Sequence, residues 1–158
     1  MSEALDHESL DVYKLELSFI SWVTALIQEA KKARDVSVAE VRDQLDRSSL
    51  SSLLNTAEGN GKRQRHLRAR YFDDARGSAT ESAACLDAIV AKGAASPERI
   101  QAGKDMLLRI VQMLTKMVER FSNNVSEGEE TYNTTNATAE DEDDDEDEDE
   151  DDSKARSQ

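Results

Sequence analysis

The run KRQRHLRAR, residues 62–70, holds Lys62, Arg63, Arg65, Arg68 and Arg70 together with His66, and no acid stands among them. Cations grouped in this way suit phosphate. They release counterions from a nucleic-acid backbone without reading its bases, so such binding is sequence-independent and salt-sensitive. At 100° per residue Arg65 and Arg68 are neighbours on one helix face, while Lys62 and Arg63 stand at the helix start. The competing reading is a solvated face whose long basic side chains cover one end of the fold. Tyr71 and Phe72 follow directly, but their spacing marks them first as core residues.

The opposite charge lies elsewhere. All thirteen positions from Glu140 to Asp152 are acidic, and residues 126–158 hold 16 acids against Lys154 and Arg156. Residues 1–125 hold 18 acids and 18 bases, so the whole formal charge of −14 belongs to the C-terminal segment. Consecutive carboxylates repel one another and offer no apolar surface to offset chain entropy. This predicts a folded domain over 1–122 and a disordered segment over 123–158, with a Ser/Thr/Asn linker as far as Ala139. The sequons at Asn124, Asn133 and Asn136 are expected to be chance matches in that linker. A basic face and an acidic tail in one chain also suggest that the tail competes for the patch.

Catalytic chemistry finds little support. The two histidines, His7 and His66, form no Glu-x-x-His or His-Glu-x-x-His pair, and Cys85 is the single cysteine. No catalytic residue, metal site or cofactor is expected. Cys85 falls on a predicted packing face, where an inert buried thiol is expected. The Ala57-Glu58-Gly59-Asn60-Gly61 segment precedes Lys62-Arg63 and lacks the Gly-Lys-Ser/Thr ending of a phosphate loop. Glu58 is expected to bond to the turn or to arginines of the following helix. The acidic run lacks the glycine and mixed spacing of a calcium loop.

These residues require a scaffold, and the periodicity supplies four helices. The first run, about 8–33, carries two apolar stripes: Leu10, Tyr13, Leu17, Ile20, Thr24, Ile27 and Val12, Leu15, Phe19, Val23, Leu26, Ala30. That arc is wider than one seam needs, which suits a central helix or a contact with another subunit. Trp22, at its edge, is expected to be a core residue. The second run starts at a Ser37/Glu40 capping box and stops at Gly59-Asn60-Gly61. Its rows are Val38, Val41, Leu45, Ser48, Ser52 and Leu50, Leu53, Leu54, Ala57, and the serines suggest close helix approach. The third spans about Lys62 to Ala91, is rich in small residues around Gly77, and stops at Gly93. The fourth opens on Ser96-Pro97-Glu98 and runs to Phe121 along a methionine-rich face. Short connections at about 34–36, 59–61 and 92–95 make neighbours antiparallel, hence an all-α, up-down-up-down four-helix bundle. The mean hydropathy of −0.72, the absence of a bilayer-length apolar run and an acidic N-terminus without an apolar core lead us to expect a cytoplasmic protein with no membrane partner.

Three stretches resemble the four-helix-bundle proteins encoded in intervening sequences of bacterial large-subunit ribosomal RNA genes, a family sometimes labelled ribosomal. Leu10-Asp11-Val12-Tyr13 is similar to its opening L-x-V-[YW]. QLDRSSLSSLLNTAEGNGK, 44–62, is similar to QLRRA-x-x-S-I-P-x-N-I-A-E-G-x-G-[RK], with Asn55, Ala57, Glu58, Gly59, Gly61 and Lys62 matching. RYFDDARGSATE, 70–81, is similar to RFL-x-x-A-x-GS-x-x-E through Ala75, Gly77, Ser78 and Glu81. Order and spacing are kept across about 10–121. Leu53 stands at the family's proline, Asp46 replaces a base of QLRR, and the acidic tail has no expected counterpart.

The resemblance implies an antiparallel bundle assembled as a homopentamer. It also links the chain to the accessory variability proteins of diversity-generating retroelements, which share the bundle, pair with a reverse transcriptase and contact nucleic acid through a basic surface. The expectation is therefore a non-enzymatic oligomer that binds RNA or a ribonucleoprotein through Lys62–Arg70, modulated by its tail. The alternatives are an accessory subunit of a reverse transcriptase and a protein-interaction scaffold whose tail meets a basic partner.

Overall fold

A computed structural model describes residues 4–32 and 38–129, with side chains for 4–31 and 38–123. Ser37, most of the linker and the acidic run lie outside the described residues. A short 3-10 turn, Asp6–Ser9, leads into α1, Asp11–Lys32; α2 is Ala39–Gly61, α3 Arg65–Ala91 and α4 Pro97–Glu129. Helices adjacent in sequence pack side by side, and α1 also meets α4, which closes an up-down-up-down bundle. Among the described residues there is no strand, and no helix is long and apolar enough to cross a membrane.

Local chemistry sets most helix ends. Ser96 accepts the Arg99 amide at 3.1 Å and Pro97 occupies the first helical position, as its fixed φ favours. At the end of α3, Gly93 has φ +74°. Its amide bonds to Val90 O at 2.9 Å, and Ala94 N–H reaches Ile89 O at 3.0 Å, a Schellman closure. The end of α2 differs from expectation. Gly59 does not stop the helix, which runs on to Gly61. A Cβ at Gly59 would lie 2.9 Å from Tyr71 Cβ and 3.0 Å from Phe72 Cε1, so this glycine lets α2 and α3 approach. α4 likewise continues to Glu129, past the Asn123 at which a linker was expected.

One stripe of α1, comprising Val12, Phe19, Val23, Leu26 and Ala30, is buried. It joins Leu45, Phe72, Ala75, Ala79, Leu86, Ile89, Leu107, Ile110 and Leu114 in the core. The other α1 stripe stays partly outside, with Leu17 46% exposed. On α2 the expected leucine row divides: Leu53 is buried, whereas Leu50 and Leu54 are 49% and 56% exposed. The α2 face turned inward is polar instead. Ser48, Ser49, Ser52 and Thr56 are all buried. Ser48 bonds to Ser82 across α3 at 2.7 Å, and Ser51 to Ser78 at 3.0 Å. Small side chains bring the backbones together, and each hydroxyl finds a partner, which removes the cost of burying it. Glu16 of α1 reaches into this seam. Its Oε1 accepts Ser52 Oγ–H at 2.7 Å and Thr56 Oγ1–H at 2.9 Å.

Trp22 is half-buried at the α1–α4 contact, as expected of a core residue. Its ring lies over Gly103, where a Cβ would fall 2.3 Å from Cζ3. Arg99, paired with Glu29 at 2.8 Å, covers the ring from 5.2 Å. Gly77, by contrast, has nothing within 4 Å of a built Cβ. Gly103 and Gly77 therefore respond oppositely to alanine. Gly103→Ala must displace the indole, and we expect a loss of roughly 1–3 kcal/mol. Gly77→Ala fills open space and should gain up to about 1 kcal/mol from helix propensity. Urea unfolding of the two variants beside the wild type checks the signs.

Candidate nucleic-acid interface

The end of the bundle where α2 stops, α3 starts and α4 finishes its packed length collects the basic run. Residues Lys62 to Gln64 form the α2–α3 turn, so Lys62 and Arg63 precede α3. Lys62 Nζ pairs with Glu58 Oε1 at 3.0 Å and sits 4.8 Å above the Tyr71 ring. The Lys62 and Tyr71 contacts hold the Glu58 carboxyl below its ordinary range, and Glu58 raises the Lys62 ammonium. Glu58 thus serves the turn and the start of α3. Its partner is Lys62 rather than an arginine.

Arg68 is half-buried and spends its donors on the backbone. Its Nε–H bonds to Lys62 O at 2.6 Å and its Nη2–H to Asn60 O at 3.0 Å. Helix ends leave carbonyls without intrahelical partners, and Arg68 satisfies two at the end of α2. Arg65 crosses to α4, donating from Nη2 to Arg120 O at 2.7 Å. Both are held at Phe121, with guanidinium carbons 5.0 Å and 5.3 Å from the ring centroid. Arg120 completes a third side at 5.7 Å. Phe121 in turn lies 5.7 Å from the buried Phe72 ring. One aromatic ring rooted in the core therefore holds three guanidinium groups together against their repulsion.

Arg70 does not join that group. It lies 140° around α3 from Arg65 at 100° per residue. Arg63, His66 and Arg70 are exposed. The ion pairs of the described residues are Lys62–Glu58, Arg76–Asp73, Arg99–Glu29 and Lys104–Asp87. No carboxylate among the described residues pairs with Arg63, Arg65, Arg68, Arg70 or Arg120. The run thus divides into a structural part, Arg68 and Lys62, and a part with charge to spare, Arg63, Arg65, Arg70 and the added Arg120. The contribution of Arg120 and Phe121 was invisible locally, because fifty-five positions separate Arg65 from the carbonyl it binds.

The motif residues act mainly within the α2–α3 seam. Asn55 Nδ2–H donates to Ser51 O at 3.0 Å, Glu81 accepts from Gln44, and Ala75 is buried with its carbonyl 3.1 Å from Ser52 Oγ. Ala57 is half-buried, and Gly61 opens onto free space. Sequence reasoning passed over Glu16 and Thr56 and read Ser52 only as a small residue that allows close helix approach. A signal existed: Ser48, Ser52 and Thr56 recur at a spacing of four, a hydroxylic stripe on one helix face. Cys85 is buried, and burial followed by the Glu81 charge pushes its thiol above the usual range, unsuited to a nucleophile. Among the described residues no three His, Cys, Asp or Glu side chains group as a metal site.

A family model described as "23S rRNA-intervening sequence protein" matches residues 8–116. No curated protein and no solved structure matches the chain.

The division of labour among the bases has a direct check. Arg68→Ala leaves the α2 carbonyls to solvent and should lower stability by roughly 1–2 kcal/mol. Arg63→Ala and Arg70→Ala should stay within about 0.5 kcal/mol of the wild type. Thermal unfolding of the three variants reads the difference.

Proposed function

The chain belongs to the 23S rRNA-intervening sequence protein family, and from that premise we propose that it is a non-enzymatic, self-associating bundle that binds RNA or a ribonucleoprotein at its basic end, with the acidic tail modulating the contact. The observation that carries this reading is the convergence of Arg65, Arg68 and Arg120 on Phe121, beside the exposed Arg63, His66 and Arg70, with no carboxylate of the described residues pairing with these arginines. Like charges gathered on a rigid support are unfavourable by themselves and favourable once a polyanion arrives. Long-stemmed guanidinium groups also suit phosphate oxygens, which they meet with two donors at a time.

Binding of a generic structured RNA, followed across a salt series, tests the reading. The slope of log affinity against log salt should be negative. Neutralising Arg63, Arg65, Arg70 and Arg120 together to Gln should flatten it by about 0.7–0.9 for each phosphate that is no longer neutralised. Replacing the acids of 140–152 by Ser and Gly should tighten binding. Absence of binding at low salt in that tail-neutral variant, with the arginines intact, overturns the nucleic-acid reading.

Self-association is supported by the α1–α2 face. At 100° per residue Leu17 projects on the α2 side of α1 and Leu50 on the α1 side of α2, each about half exposed, while the exposed Leu54 points outward from α2. Half-buried Tyr13 and Ile20 continue the face. A second copy of the chain is the proposed cover, and a pentamer is the number the resemblance implies. Light scattering of Leu17→Glu/Leu50→Glu should read a monomer where the wild type reads an oligomer; equal masses exclude this face.

A further inference from the structure

Glu16 has no part in RNA binding, yet it is one of the least exposed side chains of the bundle, at 1%. One carboxyl oxygen takes both hydroxyl contacts, and Oε2 has no hydrogen-bond partner among the described residues. The proton inventory separates the two ionisation states. Ser52 has a single hydroxyl proton and two acceptors in reach, Glu16 Oε1 at 2.7 Å and Ala75 O at 3.1 Å. If Glu16 is ionised, both hydroxyls must turn to Oε1, and a buried charge is left on a carboxylate with one bare oxygen. If Glu16 is neutral, its O–H donates to Ser52 Oγ, Ser52 donates to the Ala75 carbonyl, and Thr56 still donates to the carboxyl. The neutral acid links α1, α2 and α3 in one chain of hydrogen bonds, and Oε2 carries no charge that needs a donor.

We propose that Glu16 is a proton-operated pin for α1: with its proton on, the carboxyl seats the helix against α2 and α3, and with the proton lost local opening of α1 from the bundle becomes more frequent. The composition of the seam agrees. The two residues that meet the carboxyl, Ser52 and Thr56, are both hydroxylic and both buried, so the contact between α1 and α2 at this point is made of hydrogen bonds that depend on the proton.

No nearby charge substitutes for the proton. The charged side chains nearest in sequence to these contacts are Asp11 and Lys14 on α1, Glu58 on α2, Asp74 and Arg76 on α3, and Lys116 on α4. Arg76 is half-buried and paired with Asp73, and the others are exposed. Burial outweighs the two hydroxyls and pushes the carboxyl from 4.5 up to about 7. The fold therefore binds a proton that the open helix gives up. The stabilisation is complete below about pH 4.5 and is lost as pH rises through about 7.

Hydrogen exchange of the full chain tests this, because it reads rare local openings helix by helix. After correction for intrinsic rates, protection of α1 amides should fall by about thirty-fold between pH 5.5 and 8.5 in the wild type. It should stay level in Glu16→Gln. A second variant, Glu16→Ala/Ser52→Ile/Thr56→Ile, should also be flat, with hydrocarbon in the seam. A level wild type, an equal fall in the variants, or a fall of the same size through all four helices overturns the proposal.

Discussion

The close approach of α2 and α3 is the constraint on which the rest of this bundle depends. It requires a missing side chain at Gly59, where Tyr71 and Phe72 would otherwise meet a Cβ at about 3 Å. It also requires small residues along the seam, and those chosen are hydroxylic. Ser48–Ser82 and Ser51–Ser78 are cross-helix pairs that hold register as well as distance, because a hydrogen bond fails when helices slide by one residue. With α2 and α3 fixed, Phe72 is fixed, and it supports Phe121 of α4 at 5.7 Å. The basic end is therefore a product of core packing. Arg65 and Arg120 belong to α3 and α4, which pack along the shared core, while a glycine and several serines set how α3 settles against α2.

This explains which parts of the fold were legible in the sequence. The four helices followed from periodicity, and the start of α4 from Ser96-Pro97, since those signals act within one turn of chain. The closing role of Gly93 was equally local. Gly-Asn-Gly reads as a stop because it punctuates chains in isolation; the role of Gly59 is set by residues twelve and thirteen positions on, beyond the reach of any turn rule. The leucine row of α2 misled for a related reason. Hydrophobicity argued for burying Leu50, Leu53 and Leu54 together, but the nearest approach selects for size. The serine face turned inward, and Leu50 and Leu54 stayed outside.

The candidate site was half legible on the same grounds. A run of bases without acids is visible to anyone counting charges. That Arg68 is consumed as a cap on α2 depends on carbonyls six and eight residues away. That Phe121 and Arg120 enter the cluster depends on the bundle itself. Sequence reasoning finds where charge is concentrated, whereas packing decides how much of it stays available for a ligand.

If the basic end binds RNA as proposed, the distribution of charge sets how the two meet. Residues 1–125 carry no net charge, so at long range an RNA approaching this chain meets chiefly the field of 140–152. At physiological salt that field is screened within about 8 Å, and so is the attraction of the arginines. On the proposed reading, tail and RNA compete at contact distance, not across the solvent. There tethering favours the tail: ten residues lie between Glu129 and Glu140, so the eleven steps of chain span at most roughly 36 Å, and on the proposed reading the acids compete at high effective concentration. A polyanion displaces such a competitor only by engaging several cations at once. On the proposed reading, the fixed placement of Arg65 and Arg120 about one ring favours a ligand of fixed phosphate spacing over a run of carboxylates. In that proposed binding mode rigidity at Phe121 is the source of selectivity, and it comes from the contact with the buried Phe72 of α3.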